Sequence, residues 1–288
     1  METIRRSYHL FRQSLAILSQ DKEILIFPFL SGIVTIVAFL SMVWGGWTTG
    51  FFERIAQSGD RSFETNALAY TASFVWYFVS WFIVLFFNVA VVHCAKMRID
   101  GGDPTIADGF RASMQHLGRI AVWALISATV GLILRMIAER SSLLGKLVVW
   151  LVGAAWSIAT YFIVPVMIFE RRSIKDSIRQ STSLIAKTWG ESLAAGVGIG
   201  AFTMLLAVAG LILPIAGAFI NVQAALIGLA MAAIWWIALA IITSALAAIF
   251  RTGLYVYAAE GRTPPGFTPD YVQHAFAPKN GRVRYQTV

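Results

Sequence analysis

The feature that most constrains this chain is a run of 59 consecutive residues, Ser192–Phe250, without a single charged side chain. A helix needs about 20 mainly apolar residues to cross a bilayer, so this run is long enough for two crossings and a turn. Pro214, Gly217, Asn221 and Gln223 are its turn-forming or polar residues and mark that turn. The pattern therefore predicts a transmembrane hairpin.

The rest of the chain repeats this alternation of apolar runs and charged segments. Hydrophobic residues make up 58% of the chain and charged residues 13%, against roughly 45–50% and about 25% in a soluble domain. Charged residues are too few to cover the surface of a protein that faces water on all sides, which excludes a soluble enzyme. We predict an all-α polytopic membrane bundle with six spans, at about residues 24–47, 68–92, 117–138, 147–169, 192–213 and 225–250. They form one transmembrane domain over residues 1–258, and residues 259–288 form an extended cytoplasmic tail.

The distribution of positive charge predicts the orientation of the bundle. With six spans, 18 of the 23 Lys and Arg residues lie on the side that holds both termini, and five lie on the other. Short loops rich in Lys and Arg stay in the cytoplasm. We therefore predict a multi-pass protein of the cell (inner or plasma) membrane with both termini in the cytoplasm.

Three amphipathic segments on the cytoplasmic side are predicted to lie in the plane of the membrane. The first lies within Met1–Lys22, where apolar residues recur at helical spacing but the segment is too polar to span. The second opens at Thr105 and the third at Ser173. Each of these N-cap candidates is followed three residues later by an aspartate, Asp108 or Asp176, near the positive end of the helix.

The second and third segments also form an internal repeat. Residues 105–113 align with residues 173–181 without a gap, and Phe11–Ser14 carries a weaker echo. Each copy precedes two spans, so one in-plane helix plus one hairpin recurs three times. Such a repeat is compatible with a transporter, but plain duplication of a stable hairpin also produces it, and we favour the second origin.

The stretch Trp156–Glu191 carries a family resemblance. It contains a proline-bearing span, a glutamate at the membrane edge, and then an in-plane helix with a serine and a following tryptophan. The residues of this motif are Pro165, Glu170, Ser181, Trp189, Gly190 and Glu191. The chain resembles an uncharacterised prokaryotic membrane family, domain of unknown function 6159. More distantly it is similar to YciC-like proteins and to membrane domains found beside glycerophosphodiester phosphodiesterases.

The resemblance implies a fold more than a function. The phosphodiesterase catalytic domain is absent from the sequence, so that activity does not carry over. One position departs from the distant relatives, because Ser177 stands where they have a small apolar residue.

The sequence offers little that points to catalysis. The four histidines are isolated and no Cys-x-x-Cys or His-x-x-x-His pair occurs, so we predict no catalytic residue, metal site or cofactor. Two polar residues are candidates for an intramembrane role, Asn88 and Arg135. Asn88 either lines a polar pathway or bonds to a neighbouring helix, and Arg135 either attracts an anion or pairs with Glu139. Pro165 is a candidate helix break at a substrate site, although prolines are frequent in membrane helices.

The positive cytoplasmic surface predicts contact with anionic lipid. Each such charge near an anionic surface contributes about 1 kcal/mol. The candidate headgroup contacts are Arg5, Arg6, Arg12, Arg111, Arg171, Arg172, Lys175 and Arg179. The alternative is that these charges only enforce topology. Partner proteins or a homo-oligomer are compatible with this surface, and nucleic acid is not expected.

These observations favour a non-enzymatic membrane protein that acts as an interaction or membrane-organising component. The alternative is a transporter or channel for a small solute or a lipid, and a membrane enzyme of lipid metabolism is a weaker third reading. No acidic residue lies deep in a predicted span, which argues against proton-coupled transport.

The lipid contact of the first amphipathic segment can be measured directly. The peptide Met1–Lys22 is expected to bind liposomes more tightly as their anionic lipid content rises, because its arginines face the headgroups. Sedimentation with liposomes of graded composition measures this. Binding that is indifferent to anionic lipid would mean that these charges serve topology alone.

Overall fold

The computed structural model describes residue 18, residues 21–57 and residues 63–262. Side chains at 55–57, 63–66, 187–199 and 201 lie outside that description, as do the predicted first amphipathic helix up to residue 17 and the tail from residue 263. The described chain is helical. Its α-helices are α1 (Ile26–Thr48), α2 (Phe51–Gln57), α3 (Phe63–Ile99), α4 (Ile106–Gln115), α5 (Leu117–Arg140), α6 (Leu143–Ala159), α7 (Ile163–Phe169), α8 (Ile174–Ala209), α9 (Ile212–Ala218) and α10 (Val222–Glu260).

Within the described residues, five helical segments are long and apolar enough to cross a bilayer. These are Lys22–Thr48, Ala67–Ile99, Leu117–Arg140, Leu143–Phe169 and Val222–Glu260. They coincide with the first four predicted spans and the sixth. The protein is therefore an all-helical membrane protein.

The predicted fifth span is built differently from the expectation. The third amphipathic segment and the residues after it form one uninterrupted helix, α8, which starts at Ile174 and ends at Ala209. No proline interrupts this stretch, and at 1.5 Å per residue the helix is about 54 Å long. The short helix α9 follows, and Asn221 caps α10 by accepting a hydrogen bond from the Ala224 N–H at 2.7 Å.

The fourth span is interrupted, because α6 ends at Ala159 and α7 begins only at Ile163. Pro165 explains the interruption: it has no N–H, and its ring would clash with the carbonyl of Tyr161 in a continuous helix. The Phe162 N–H, which the interruption leaves without an intrahelical acceptor, donates to Ser181 Oγ at 3.0 Å. A side chain of α8 thus supplies the hydrogen-bond acceptor that the backbone lacks at the break between α6 and α7.

Both helix starts predicted from spacing are confirmed. Thr105 Oγ1 accepts from the Asp108 N–H, and the Asp108 carboxylate accepts from the Thr105 N–H at 3.1 Å, which forms a capping box. Ser173 Oγ accepts from the Asp176 N–H at 3.2 Å. The two copies of the repeat therefore begin with the same local chemistry.

The repeat extends to a second pair of aligned residues, Ser113 and Ser181. Both are fully buried, and each bonds to the backbone of a preceding span. Ser113 Oγ donates to the Phe86 carbonyl of α3 at 2.7 Å, whereas Ser181 Oγ accepts from Phe162. The duplicated serine fastens each copy to the transmembrane segment before it.

The core lies at one end of the bundle. It gathers the start of α1, the end of α3, the start of α5, α7, part of α8 and the end of α10. Six consecutive residues of α7, Ile163–Ile168, are buried. Elsewhere large apolar side chains are exposed, such as Trp47 (77%), Leu143 (85%) and Phe219 (88%), as expected of surfaces that contact lipid.

The Ser181 bond can be tested by substitution. Ser181→Ala leaves the buried Phe162 N–H without an acceptor, and we expect a loss of about 1–3 kcal/mol in the free energy of unfolding. Thr129→Ala is the matched control, because Thr129 is exposed and its hydroxyl bonds to its own helix at the Leu125 carbonyl. Unfolding in mixed detergent micelles measures both, and equal losses would show that Ser181 has no special part in the break.

Candidate functional site

A cavity of about 760 Å³ lies where the interrupted span meets the rest of the bundle. Residues of α3, α5, α6 and α7 line it, together with the turn between α6 and α7 and one residue of α10. Its volume falls within the roughly 300–1,000 Å³ that is usual for small-molecule sites.

Four tryptophans form much of the cavity wall: Trp81, Trp123, Trp150 and Trp156. The rings of Trp123 and Trp156 stack, with centroids 5.8 Å apart and planes inclined by 19°. Trp150 is 66% exposed and Trp81 is 41% exposed, whereas Trp123 is buried. The wall therefore runs from an interior stack to two side chains that reach the surface of the bundle.

Two polar side chains of the cavity lining have atoms without a hydrogen-bond partner among the described residues. They are Asn88, through its buried Oδ1, and Arg251, through its buried Nε. Buried polar atoms are nearly always paired, because leaving one unpaired costs about 1–3 kcal/mol. These two atoms are the most unusual feature of the cavity, and they give an otherwise aromatic space a polar part.

Tyr161 partly compensates the charge of Arg251. The guanidinium carbon lies 4.9 Å from the centre of the Tyr161 ring, within the range of a cation–π interaction. Tyr161 belongs to the turn between α6 and α7. The interruption of the fourth span thus places an aromatic ring against the one residue that α10 contributes to the cavity.

Polar side chains from neighbouring helices hold α7 in place at its far end. Arg119 of α5 donates to the carbonyls of Met167 at 2.9 Å and Arg171 at 3.1 Å. The Met167 carbonyl lies in the last turn of α7, where a helix lacks internal donors, and the Arg171 carbonyl lies two residues beyond the end of α7. The Glu170 carboxylate accepts from the Tyr255 hydroxyl at 3.1 Å and from Arg172 Nε at 2.6 Å.

Three residues of the family-like motif therefore meet around α7. Pro165 causes the break, Ser181 satisfies it, and Glu170 ties the end of α7 to α10. Trp189, Gly190 and Glu191 lie in α8, but their side chains are outside the described residues. Ser177, the departure from the distant relatives, is fully buried and its Oγ has no described partner.

Ion pairs gather at the end of the bundle that holds the core. Lys96 lies 2.5 Å from Asp100 and 3.2 Å from Glu260, and Arg262 bonds to both of these carboxylates. Burial raises the pKa of Asp100, but hydrogen bonds from Lys96 and Arg262 outweigh it and hold this pKa below its ordinary value. We call this part of the molecule the charged end.

A second ion-pair group joins α1 to the charged end. The Asp21 carboxylate is buried and accepts two hydrogen bonds from Arg98. Arg98 also bonds to the exposed Asp103 at 2.6 Å. The segment just before α1 is therefore held to the end of α3 by a bidentate pair.

The predicted headgroup contacts lie outside the cavity. Arg111, Arg171, Arg172, Lys175 and Arg179 are exposed, whereas Arg5, Arg6 and Arg12 lie outside the described residues. Arg172 pairs with Glu170, and Arg111 lies 3.9 Å from Asp108. Their exposure is compatible with lipid contact, which stays a prediction.

The two intramembrane polar candidates differ in their surroundings. Asn88 lines the cavity. Arg135 is half-exposed and donates to Glu139 at 2.8 Å, which confirms the predicted pairing with the residue four positions later. The neighbouring Leu134 lines the cavity, whereas Arg135 does not.

Sequence reasoning missed Arg251 and Tyr161 as site residues. Arg251 directly follows the uncharged run, so the sequence pattern places it at the end of the sixth span. The signal against this is the apolar run 254–259, because α10 continues for nine residues beyond Arg251, to Glu260. No sequence pattern indicates that Tyr161 faces α10.

The described residues offer no metal site. Among residues 18, 21–57 and 63–262, no group of three His, Cys, Asp or Glu side chains is placed to bind one ion. What the cavity does present is a cation, an amide and aromatic walls.

Comparison with known proteins identifies one family. The model of DUF6159, a family of unknown function, matches residues 67–267, more than two thirds of the chain. No curated protein matches the chain.

Proposed function

We propose that this chain, which belongs to the DUF6159 family of unknown function, is a non-enzymatic membrane component that holds the hydrocarbon chain of a lipid in the tryptophan-walled cavity. This is a specific form of the membrane-organising role that the composition favours. A protein that holds a lipid can retain it as a structural component or pass it across the bundle. The lipid transporter is therefore the second candidate.

The observation that carries the proposal is the wall of the cavity. Trp81 and Trp150 reach the surface of the bundle, and the stacked Trp123 and Trp156 lie further in. Aromatic faces offer a large apolar contact area to a flexible chain. The outer surface of the bundle, which Trp81 and Trp150 reach, faces lipid. A hydrocarbon chain can therefore enter the cavity from the bilayer without crossing water.

The proposal includes a topology. Six spans, with α8 as the fifth, place both termini and the charged end in the cytoplasm, and the amphipathic segments then lie near the inner leaflet of the cell membrane. Three things support this arrangement: the excess of Lys and Arg on that side, the ion pairs at the charged end, and the length of α8, which exceeds a bilayer of about 40–45 Å.

Filling the cavity tests the lipid-binding role. Gly153 lines the cavity, and a Cβ there meets only Leu134 Cδ1, at 3.7 Å. Gly153→Leu should therefore fold, occupy the cavity, and lower the amount of lipid that co-purifies in detergent by about tenfold, equivalent to about 1.4 kcal/mol. Native mass spectrometry counts the retained lipids.

Gly32→Leu is the matched control for the cavity variant. Gly32 lies in α1, a Cβ there has nothing within 4 Å, and the residue does not line the cavity. We expect this variant to retain lipid like the unmodified protein. Equal retention by both variants would contradict the proposal.

The topology has its own test. In a Cys94→Ala background, the exposed positions Lys175 and Ser142 are replaced singly by cysteine and treated on intact cells with a membrane-impermeant maleimide. Ser142→Cys should react on intact cells, and Lys175→Cys only after permeabilisation, because six spans place them on opposite sides. Reaction of both from outside, or of residue 175 alone, would contradict the proposed orientation.

A further inference from the structure

We propose that the lipid held in the cavity carries an anionic headgroup with a neighbouring hydroxyl donor, which Arg251 and Asn88 recognise. This inference rests on the proposed function, since it adds a headgroup to the hydrocarbon chain already assigned to the cavity. It goes beyond that function by assigning a chemical class to the ligand and a binding role to two residues.

The charge of Arg251 calls for an anion. A guanidinium stays protonated in proteins, and no carboxylate among the described residues forms an ion pair with Arg251. Tyr161 compensates part of this charge through its ring and through a side-chain hydrogen bond, but the buried Nε has no partner among the described residues. A phosphate or carboxylate oxygen would accept a hydrogen bond from Nε and would also neutralise the charge. Such an anion is therefore the strongest partner for Arg251.

The position of Arg251 along α10 suits a lipid headgroup. The uncharged part of α10 before it, Val222–Phe250, is about 43 Å long at 1.5 Å per residue, more than the roughly 30 Å of hydrocarbon in a bilayer. Arg251 therefore lies near headgroup depth. A lipid whose anionic group meets Arg251 would extend its chain toward the hydrocarbon, along the tryptophan wall.

Asn88 adds a second requirement. Its Oδ1 accepts hydrogen bonds and is buried without a described donor. A fully ionised phosphate diester has no proton to donate, so it satisfies Arg251 but not this oxygen. A headgroup that also carries a hydroxyl satisfies both, since Asn88 and Arg251 line the same cavity.

The alternative for the same residues is purely structural. Arg251 would then serve only to pack on Tyr161, and the positive outer surface would supply any preference for anionic lipid. The two interpretations predict different effects of substituting Arg251. If Arg251 binds the headgroup, the substitution lowers the preference for anionic lipid. If Arg251 only packs on Tyr161, the substitution changes the stability of the fold and leaves that preference unchanged.

The test uses the purified full-length protein and three lipids with identical acyl chains. Phosphatidylglycerol is anionic and has hydroxyl donors, phosphatidylmethanol is anionic without a donor, and phosphatidylcholine has neither a net charge nor a donor. We expect native mass spectrometry to give binding in that order, with phosphatidylglycerol about tenfold tighter than phosphatidylcholine. Equal binding of the three by the unmodified protein overturns the inference without any variant.

Two substitutions separate the roles. Arg251→Gln should lower binding of both anionic lipids to the level of phosphatidylcholine and leave phosphatidylcholine binding unchanged. Asn88→Leu should remove only the difference between phosphatidylglycerol and phosphatidylmethanol. Should Arg251→Gln fail to fold, Arg251→Lys keeps the charge and is expected to keep the anion preference with weaker binding.

Arg179→Gln tests the alternative, because Arg179 is an exposed predicted headgroup contact outside the cavity, and Arg140→Gln is the matched control, because Arg140 is exposed and belongs to neither site. If the cavity sets the selectivity, both variants keep it, whereas a loss of anion preference in Arg179→Gln alone would assign the preference to the outer surface and overturn the inference. If Gly153→Leu abolishes lipid retention but the three lipids bind equally to the unmodified protein, the hydrocarbon site is supported and the headgroup site is contradicted. If Gly153→Leu has no effect, the proposed function itself fails.

Discussion

The interruption between α6 and α7 depends on hydrogen bonds supplied by other helices. Inside a bilayer no water is available to bond to the backbone groups that a broken helix leaves unpaired, so each such group costs several kcal/mol there. Ser181 of α8 accepts from Phe162 at the break, and Arg119 of α5 donates to the carbonyls at the end of α7. Because the backbone groups at both ends of α7 have hydrogen-bond partners, this buried seven-residue helix can form the last part of the fourth span inside the bundle. The cavity beside that break follows from this arrangement.

The same arrangement explains why the core is concentrated at one end. α7 is surrounded by the ends of α3 and α10 and by α8, and its residues are buried there. Glu170 and Tyr255 join α7 to α10, while Asp21 and Arg98 join α1 to α3. These polar links lie beside the apolar core. Elsewhere the helices present large apolar side chains outward, where lipid replaces protein contacts.

Much of the architecture could be predicted because it depends on local patterns. Apolar runs bounded by charges located the helices, and Thr105 and Ser173 marked two helix starts by their spacing to an aspartate. The gapless repeat correctly paired Ser113 with Ser181 as equivalent residues. At Pro165 the sequence allows two interpretations, a helix break or an ordinary proline of a membrane helix. The continuity of α8 was missed, since an amphipathic segment followed by an apolar one reads as two helices although nothing interrupts the backbone.

The sequence by itself determined that the chain is a helical membrane protein and where α4 and α8 begin. These properties depend on transfer of side chains from water to lipid and on hydrogen bonds between residues three or four positions apart. Only the tertiary structure decided that Asn88, Tyr161 and Arg251 share one cavity with four tryptophans. These three residues belong to different parts of the chain, and their proximity results from how α3, α10 and the turn between α6 and α7 pack, which no local pattern encodes.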